Sequence, residues 1–307
     1  MNNKILRIGI IAEYNPFHNG HIYQINWIKN QWKDAKIIVI LSGNYVQRGE
    51  MAIADFETRK AICLNYGVDE VYELPFEYAT QAAHIFAQGA IKLAHQLKIN
   101  KLVFGSESND IDLFYKIAQA IYQDETKYYQ LLRSELKQGI SFPKANQIVL
   151  ETIIGKSFVL PNDILGLEYV KAIVKNNYPI EAISMLRTVG FHSEQVNENI
   201  ASASYIRKLI FEQNLDYQKY TPMVFEAIPD RIENYYWKFQ AIVKNSSATD
   251  LAMIHLVSEG MEYLFKKHID SKTYADFIAA CTSKRYPSSR IKRVLLYVLL
   301  QIKKDGS

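Results

Sequence analysis

Arg7-Ile8-Gly9-Ile10-Ile11-Ala12-Glu13-Tyr14-Asn15-Pro16-Phe17-His18-Asn19-Gly20-His21 is the stretch on which the reading of the fold turns. Residues 7 to 12 form a short apolar run bounded by turn formers, the pattern of a strand covered on both faces. Asn15-Pro16 halts it. From Ile22 onward, Ile25, Ile28 and Trp32 recur at helical spacing, so the order is strand, turn, helix. His18 and His21 therefore fall in the turn and at the first helical residues. There, unsatisfied backbone N–H groups and the positive end of the helix dipole favour an anion. Gly20 removes a side chain between them, so a flat ring or a phosphate can approach the backbone. Two histidines three apart at a helix start also suit plain capping, and the residues downstream decide between the two.

Lys36-Ile37-Ile38-Val39-Ile40-Leu41 is a second β-branched run, ending in a polar loop, Ser42-Gly43-Asn44-Tyr45-Val46-Gln47-Arg48-Gly49-Glu50. A loop after a buried strand lies at the carboxyl edge of a parallel sheet, where ligands bind. Residues 55 to 66 read as a helix, 70 to 74 as a third strand stopped by Pro75, and 79 to 97 as an alanine-rich helix. Residues 101 to 104 form a fourth strand ending in Gly105-Ser106-Glu107. Strands alternating with helices at this rhythm predict a parallel α/β sheet with right-handed crossovers. A helical insertion follows at about 111–155, then a helix ending near Asn176. Glu181 to Leu186 is a fifth strand that delivers Arg187 to the same edge. Ser202 or Ser204 can cap the next helix, with Arg207 one turn inside it.

Beyond about Lys219 the pattern is helical and aromatic, and Tyr235, Tyr236, Trp237 and Phe239 read as core. The last helix carries an apolar stripe of Ile291, Val294, Leu295, Val298, Leu299 and Ile302. Lys284, Arg285, Arg290, Lys292, Arg293, Lys303 and Lys304 lie in the same stretch, with no acidic residue from 284 to 304. Such a basic face attracts a phosphate backbone in a salt-dependent, sequence-independent way, and it equally suits a solvated helix. The expected organisation is a catalytic domain at 1–215 and a helical domain at 216–307.

The bulk numbers bound the alternatives. The 307 residues are 49% apolar and 22% charged, ordinary for a globular protein, and a net charge of +4 does not by itself specify a nucleic-acid partner. Cys63 and Cys281 lie far apart without metal or redox spacing, which implies reduced thiols and no zinc site. No apolar run approaches about 18 residues and no signal-type core precedes the first strand. The expectation is a cytoplasmic protein with no membrane partner.

Strand, turn, His-x-Gly-His and helix together form the nucleotide-binding signature of the nucleotidylyltransferase superfamily that includes the class I aminoacyl-tRNA synthetases. The longer string Glu13-Tyr14-Asn15-Pro16-Phe17-His18-Asn19-Gly20-His21 closely resembles that of the bacterial tRNA(Met) cytidine acetate ligase family. Further motifs carry the resemblance over most of residues 7 to 300. They include Ser42-Gly43 with Gln47-Arg48-Gly49, Glu73-Leu74-Pro75, Phe104-Gly105-Ser106-Glu107 and Pro161-Asn162 with Leu165-Gly166-Leu167-Glu168-Tyr169. Ala201-Ser202-Ala203 with Ile206-Arg207 and Ser283-Lys284-Arg285-Tyr286 complete them. Family members typically run on beyond the basic helix where this chain stops, which puts the grip on tRNA in question.

The resemblance implies a Rossmann-like fold with ATP held along Ile11, Ala12, Glu13, Tyr14, Asn15, Pro16, Phe17, His18, Asn19, Gly20, His21, Ile22, Tyr23 and Gln24. Gly105, Asn162, Arg187 and Ser202 complete the set, although Ala201 and Ala203 replace fuller hydroxyl content around Ser202. His18, His21 and Arg207 are the implied catalytic residues, the histidines donating to the α-phosphate and Arg207 holding the departing pyrophosphate. Mg2+ accompanies the triphosphate. The implied partners are ATP, acetate and elongator tRNA(Met): acetate becomes acetyl-adenylate, and the acetyl group passes to N4 of the wobble cytidine. RNA would run along Lys284, Arg285, Arg290, Lys292 and Arg293. Two other readings remain compatible with the residues, an adenylyltransferase joining AMP to a phosphorylated small molecule and a nucleotide- and RNA-binding protein without turnover.

Overall fold

The computed structural model describes residues 5–140, 142–155, 164–187 and 199–304. Strand β1 (Arg7–Ala12) leads through the histidine turn into α1 (Asn19–Gln31), followed by β2 (Lys36–Ser42), the two-residue strands β3 (Tyr45–Val46) and β4 (Glu50–Met51), and α2 (Phe56–Asn65). Then come β5 (Glu70–Leu74), α3 (Phe76–Ala79), α4 (Ala83–Gln96), β6 (Lys101–Ser106), α5 (Ile111–Gln123), α6 (Glu125–Lys137), α7 (Phe142–Ile154), α8 (Ile164–Lys175), β7 (Glu181–Leu186) and α9 (Ala203–Phe211). The C-terminal helices are α10 (Tyr236–Asn245), α11 (Ala248–Met253), α12 (Met261–His268), α13 (Tyr274–Cys281) and α14 (Ser288–Leu299).

The main sheet runs β5-β2-β1-β6-β7 with every pairing parallel. Register pairs Ala12 with Leu41, Ser42 with Leu74, and Ser106 with Leu186, so the strand ends form one carboxyl edge. The chain leaves β1 toward β2 on one side and later returns to β6 on the other. The turn holding His18 and His21 thus sits at the point of reversal, where open α/β sheets bind ligands.

Alternation along the strands divides the core. Ile8, Ile10, Ile37, Val39 and Leu41 pack toward α1 with Tyr14, Phe17, Ile25 and Ile28. Ile38, Ile40, Leu102 and Phe104 pack toward α4, α5 and α8, with Ile11 at the margin. Burying each such side chain is worth about 1.5–3 kcal/mol, which explains strands that are almost continuously apolar. A separate core around Phe239, Phe265 and Phe277 holds α10 to α14 together.

Several expectations change. The helix expected over 79–97 begins only at Ala83, as α4, and the short helix α3 precedes it. Thr80 ends α3, its hydroxyl bonding the Phe76 carbonyl and meeting the Tyr297 hydroxyl of α14 at 3.0 Å. The gap between the two helices is thus fastened to a partner 217 residues away. The fourth strand extends through Gly105 to Ser106. Of the aromatic group read as core, Tyr236 and Phe239 are buried, whereas Trp237 is 68% exposed, because it points about 100° around the helix from Tyr236. The turn at 161–163 lies outside the described residues.

Candidate active site

Each histidine of the turn has its Nδ1 committed to the backbone. His18 is the N-cap of α1, and its Nδ1 accepts the Gly20 N–H at 3.1 Å; the Nδ1 of His21 accepts the His18 N–H at 3.1 Å. Two orphan donors of the helix start are thereby satisfied in a reciprocal capping box. An accepting Nδ1 assigns the ring proton to Nε2, so each neutral imidazole presents one outward donor. The rings stack at 3.7 Å between centroids, and His21 also rests on Tyr14 and Phe17. A Cβ at Gly20 would lie 2.9 Å from the His18 ring, so glycine is required for the rings to sit this close to the helix start.

Burial, then the nearby Arg187 guanidinium, lowers the His18 pKa to about 3. Burial, and after it the neighbouring His18 and Arg187, push His21 well below its usual range as well. At neutral pH the site holds two neutral donors beside a fixed cation, a field aimed at an anion.

The other carboxyl-edge residues converge on this turn. Arg187 follows β7, donates its backbone N–H to the Ser106 carbonyl at 2.9 Å, and lays its side chain over Gly105, where a Cβ would meet Arg187 Cγ at 3.0 Å. Ser202 caps α9, accepting the Tyr205 N–H at 3.2 Å. Arg207, one turn inside α9, donates from Nη1 to the Asn15 carbonyl at 2.6 Å. Asn19 fastens the approach to α9 to the turn, donating to the carbonyls of Asn199 and Lys219 at 2.7 and 2.9 Å. Asn162 lies outside the described residues.

The expected nucleotide segment divides by role. Tyr14 and Phe17 are buried in the core, the Phe17 carbonyl accepting the Thr221 hydroxyl, while Tyr23 is exposed. The Ile11 side chain lies at the margin of the core on the α4 and α8 face. Gln24 ties α1 to β6 through the Val103 carbonyl at 3.3 Å. Asn15 is buried, and its side-chain oxygen accepts the Ile53 N–H at 2.8 Å. Glu13 accepts the Gln47 N–H at 2.8 Å; burial raises its pKa, opposed by that amide and by Arg207.

The sequence reading missed Arg59. Within Phe56-Glu57-Thr58-Arg59-Lys60 it resembles a surface-helix cation, yet it is 0% exposed. Its guanidinium donates to the carbonyls of Glu13 at 2.6 Å, Ser42 at 2.9 Å, Gly43 at 2.5 Å and Ala54 at 2.9 Å. Arg59 therefore pins the ends of β1 and β2, where the edge is otherwise a row of unpaired carbonyls. Burial lowers its pKa to about 10, which leaves it charged at neutral pH.

The C-terminal cations are less free than their spacing suggests. Lys292 pairs with Glu50 at 2.6 Å, and Arg290 and Arg285 meet Glu259 at 3.2 and 3.3 Å. The chain supplies from elsewhere the acids that residues 284–304 lack. Positions 294 to 299 are buried throughout, confining the helix's basic character to its first turns. Lys284 is exposed and makes no ion pair among the described residues.

Comparison with known proteins identifies the family and agrees with the fold. The HIGH Nucleotidyl Transferase family matches residues 6–307. The tRNA(Met) cytidine acetate ligase of Mycoplasma mobile is 58% identical over 300 residues, covering 97% of this chain and 100% of that one. The protein of the same name from Caldicellulosiruptor saccharolyticus is 35% identical, covering 96% of this chain and 77% of its own. The crystal structure of Thermotoga maritima TmcAL bound with alpha-thio ATP superimposes with a TM-score of 0.87 at 32% identity, over 98% of this chain and 76% of that one. The chain therefore belongs to the HIGH nucleotidyl transferase family, within its tRNA(Met) cytidine acetate ligase branch.

Proposed function

We propose that the protein activates acetate with ATP to acetyl-adenylate and transfers the acetyl group to N4 of the wobble cytidine of elongator tRNA(Met). The observation that carries the first step is the pair of neutral Nε2–H donors held at the point of strand reversal by their own backbone cap. Acetate is ionised at neutral pH and needs no base to attack the α-phosphorus. The bond from acetate oxygen to phosphorus forms as the bond to pyrophosphate breaks, and charge accumulates on the α-phosphate oxygens. His18 and His21 donate to those oxygens without reorganising, each donor worth about 3 kcal/mol in such sites. Arg207 and the α9 start hold the pyrophosphate, and Arg187 over Gly105 adds fixed positive charge. In the second step the cytidine amine attacks the activated acyl carbon and AMP departs; the base is unstacked to reach the cleft.

Among the described residues no cluster of three or more His, Cys, Asp or Glu forms a metal site. Mg2+ would be carried by the triphosphate as part of the substrate, in keeping with its preference for phosphate ligands and retained water. The catalytic unit is assigned to 1–215 and the helical unit to 216–307, supported by the separate core of α10 to α14. No helix among the described residues is long and apolar enough to cross a membrane, and buried free Cys63 and Cys281 favour the cytoplasm. The test is acetate-dependent exchange of labelled pyrophosphate into ATP, followed by acetylation of tRNA(Met). Exchange that ignores acetate would sink the reading and favour another adenylyl acceptor.

A further inference from the structure

The hairpin of β3 and β4 is rigidly held on both sides, yet its tip carries an unpaired cation. On the sheet side, the Gln47 N–H is bonded to Glu13, the residue just after β1, at 2.8 Å. On the other side, the hairpin is seated against the first turns of α14. Gly49, at φ +75°, touches that helix so closely that a Cβ would lie 2.6 Å from both the Cα and the backbone nitrogen of Arg293. Glu50 then pairs with Lys292 at 2.6 Å, across 242 residues of sequence. Between these anchors Arg48 is exposed and, among the described residues, makes no hydrogen bond or ion pair. Its charge nevertheless reaches Glu13 and Arg207 at the cleft.

A free arginine on a flexible loop would be an ordinary solvated charge. Here the backbone on both sides is fixed, so the entropy cost of ordering this stretch has been met in folding. The neighbouring α14 cations are largely neutralised: Lys292 by Glu50, Arg290 by Glu259. Arg48 is thus a rim cation without an ion pair among the described residues, beside Glu13 and Arg207 at the cleft.

We propose that Arg48 is a phosphate-backbone contact for the RNA substrate, held at the mouth of the cleft by the clasp between the hairpin and α14. This rests on the tRNA reading above. It also relocates the key cation from the middle of α14 to the loop that α14 supports.

The experiment is equilibrium binding of full-length protein to tRNA(Met) between 50 and 200 mM salt. Arg48→Ala is expected to weaken binding about tenfold at low salt and to reduce the slope of log K against log salt by about 1, the value of one phosphate contact. Arg48→Lys is expected to retain the slope. Gly49→Ala, which forces the hairpin off α14, is expected to reproduce the affinity loss with Arg48 intact. Wild-type affinity and slope in Arg48→Ala would overturn the proposal. So would a loss of acetate-dependent pyrophosphate exchange equal to the loss of tRNA affinity, since Arg48 would then act through Glu13 and Arg207 on the nucleotide. The readout is the ratio of variant to wild-type affinity, whereas the acetate-ligase reading fails on exchange and acetylation by the wild type.

Discussion

His21 accepts the backbone N–H of His18 through Nδ1 at 3.1 Å, so the helix cap and the tautomer of the ring are set by one bond. The same nitrogen that satisfies the start of α1 makes Nε2 the donor. Structure and chemistry at His21 are consequently separable only by degree.

His21→Ala is expected to reduce adenylate formation at least 100-fold, the effect of removing about 3 kcal/mol of charge stabilisation. The lost cap costs only about 1 kcal/mol of stability. Pyrophosphate exchange together with a urea midpoint distinguishes the two. An unchanged exchange rate would remove the histidines from the mechanism.

Acid should weaken the fold through His18. Its pKa is near 6.5 unfolded and about 3 folded, so below pH 6.5 the unfolded chain binds the extra proton. The stabilising contribution of the neutral ring is complete above pH 6.5 and is lost as pH falls toward 3. Between pH 7 and 5 the wild type should lose about 2 kcal/mol more than His18→Gln, read from denaturant midpoints. Adenylate formation should likewise lack a histidine limb near pH 6.5.

Arg59→Met is expected to destabilise the protein by about 3–5 kcal/mol, because it leaves buried carbonyls of Glu13, Ser42 and Gly43 without their donor. Thermal unfolding should show a fall of several degrees. A midpoint within one degree of wild type would show that these carbonyls find other partners.

Lys284→Ala combined with Arg285→Ala tests the start of the basic segment away from the hairpin clasp. The expected result is weaker tRNA binding and a salt slope reduced by about 1, since Arg285 is already paired with Glu259, with nucleotide affinity retained. Equal tRNA affinity would return these residues to ordinary solvated surface.

The strands, and the placing of the histidine turn and the following loops at their carboxyl edge, were legible because both rest on local patterns. Continuous apolar runs such as Lys36 to Ser42 mark strands buried on both faces, and each is followed by a break that places the next residues at the carboxyl edge. Ser202 was readable as a cap for the same reason, since N-caps act within three residues. Trp237 was misread because clustered aromatics show composition without showing which way the helix is turned.

The sequence by itself determined a parallel α/β sheet, a His-x-Gly-His turn at the head of α1, and arginines at strand and helix ends, all through interactions spanning a few residues. Only the tertiary structure decided the rest. It buried Arg59 under two strand ends, joined Lys292 to Glu50 and set the Thr80 hydroxyl against that of Tyr297. It also brought Arg187 over Gly105 beside the paired histidines. A charge or hydroxyl takes its partner from whatever the folded chain brings within about 3 Å, and residues hundreds of positions apart carry no local signal of that meeting.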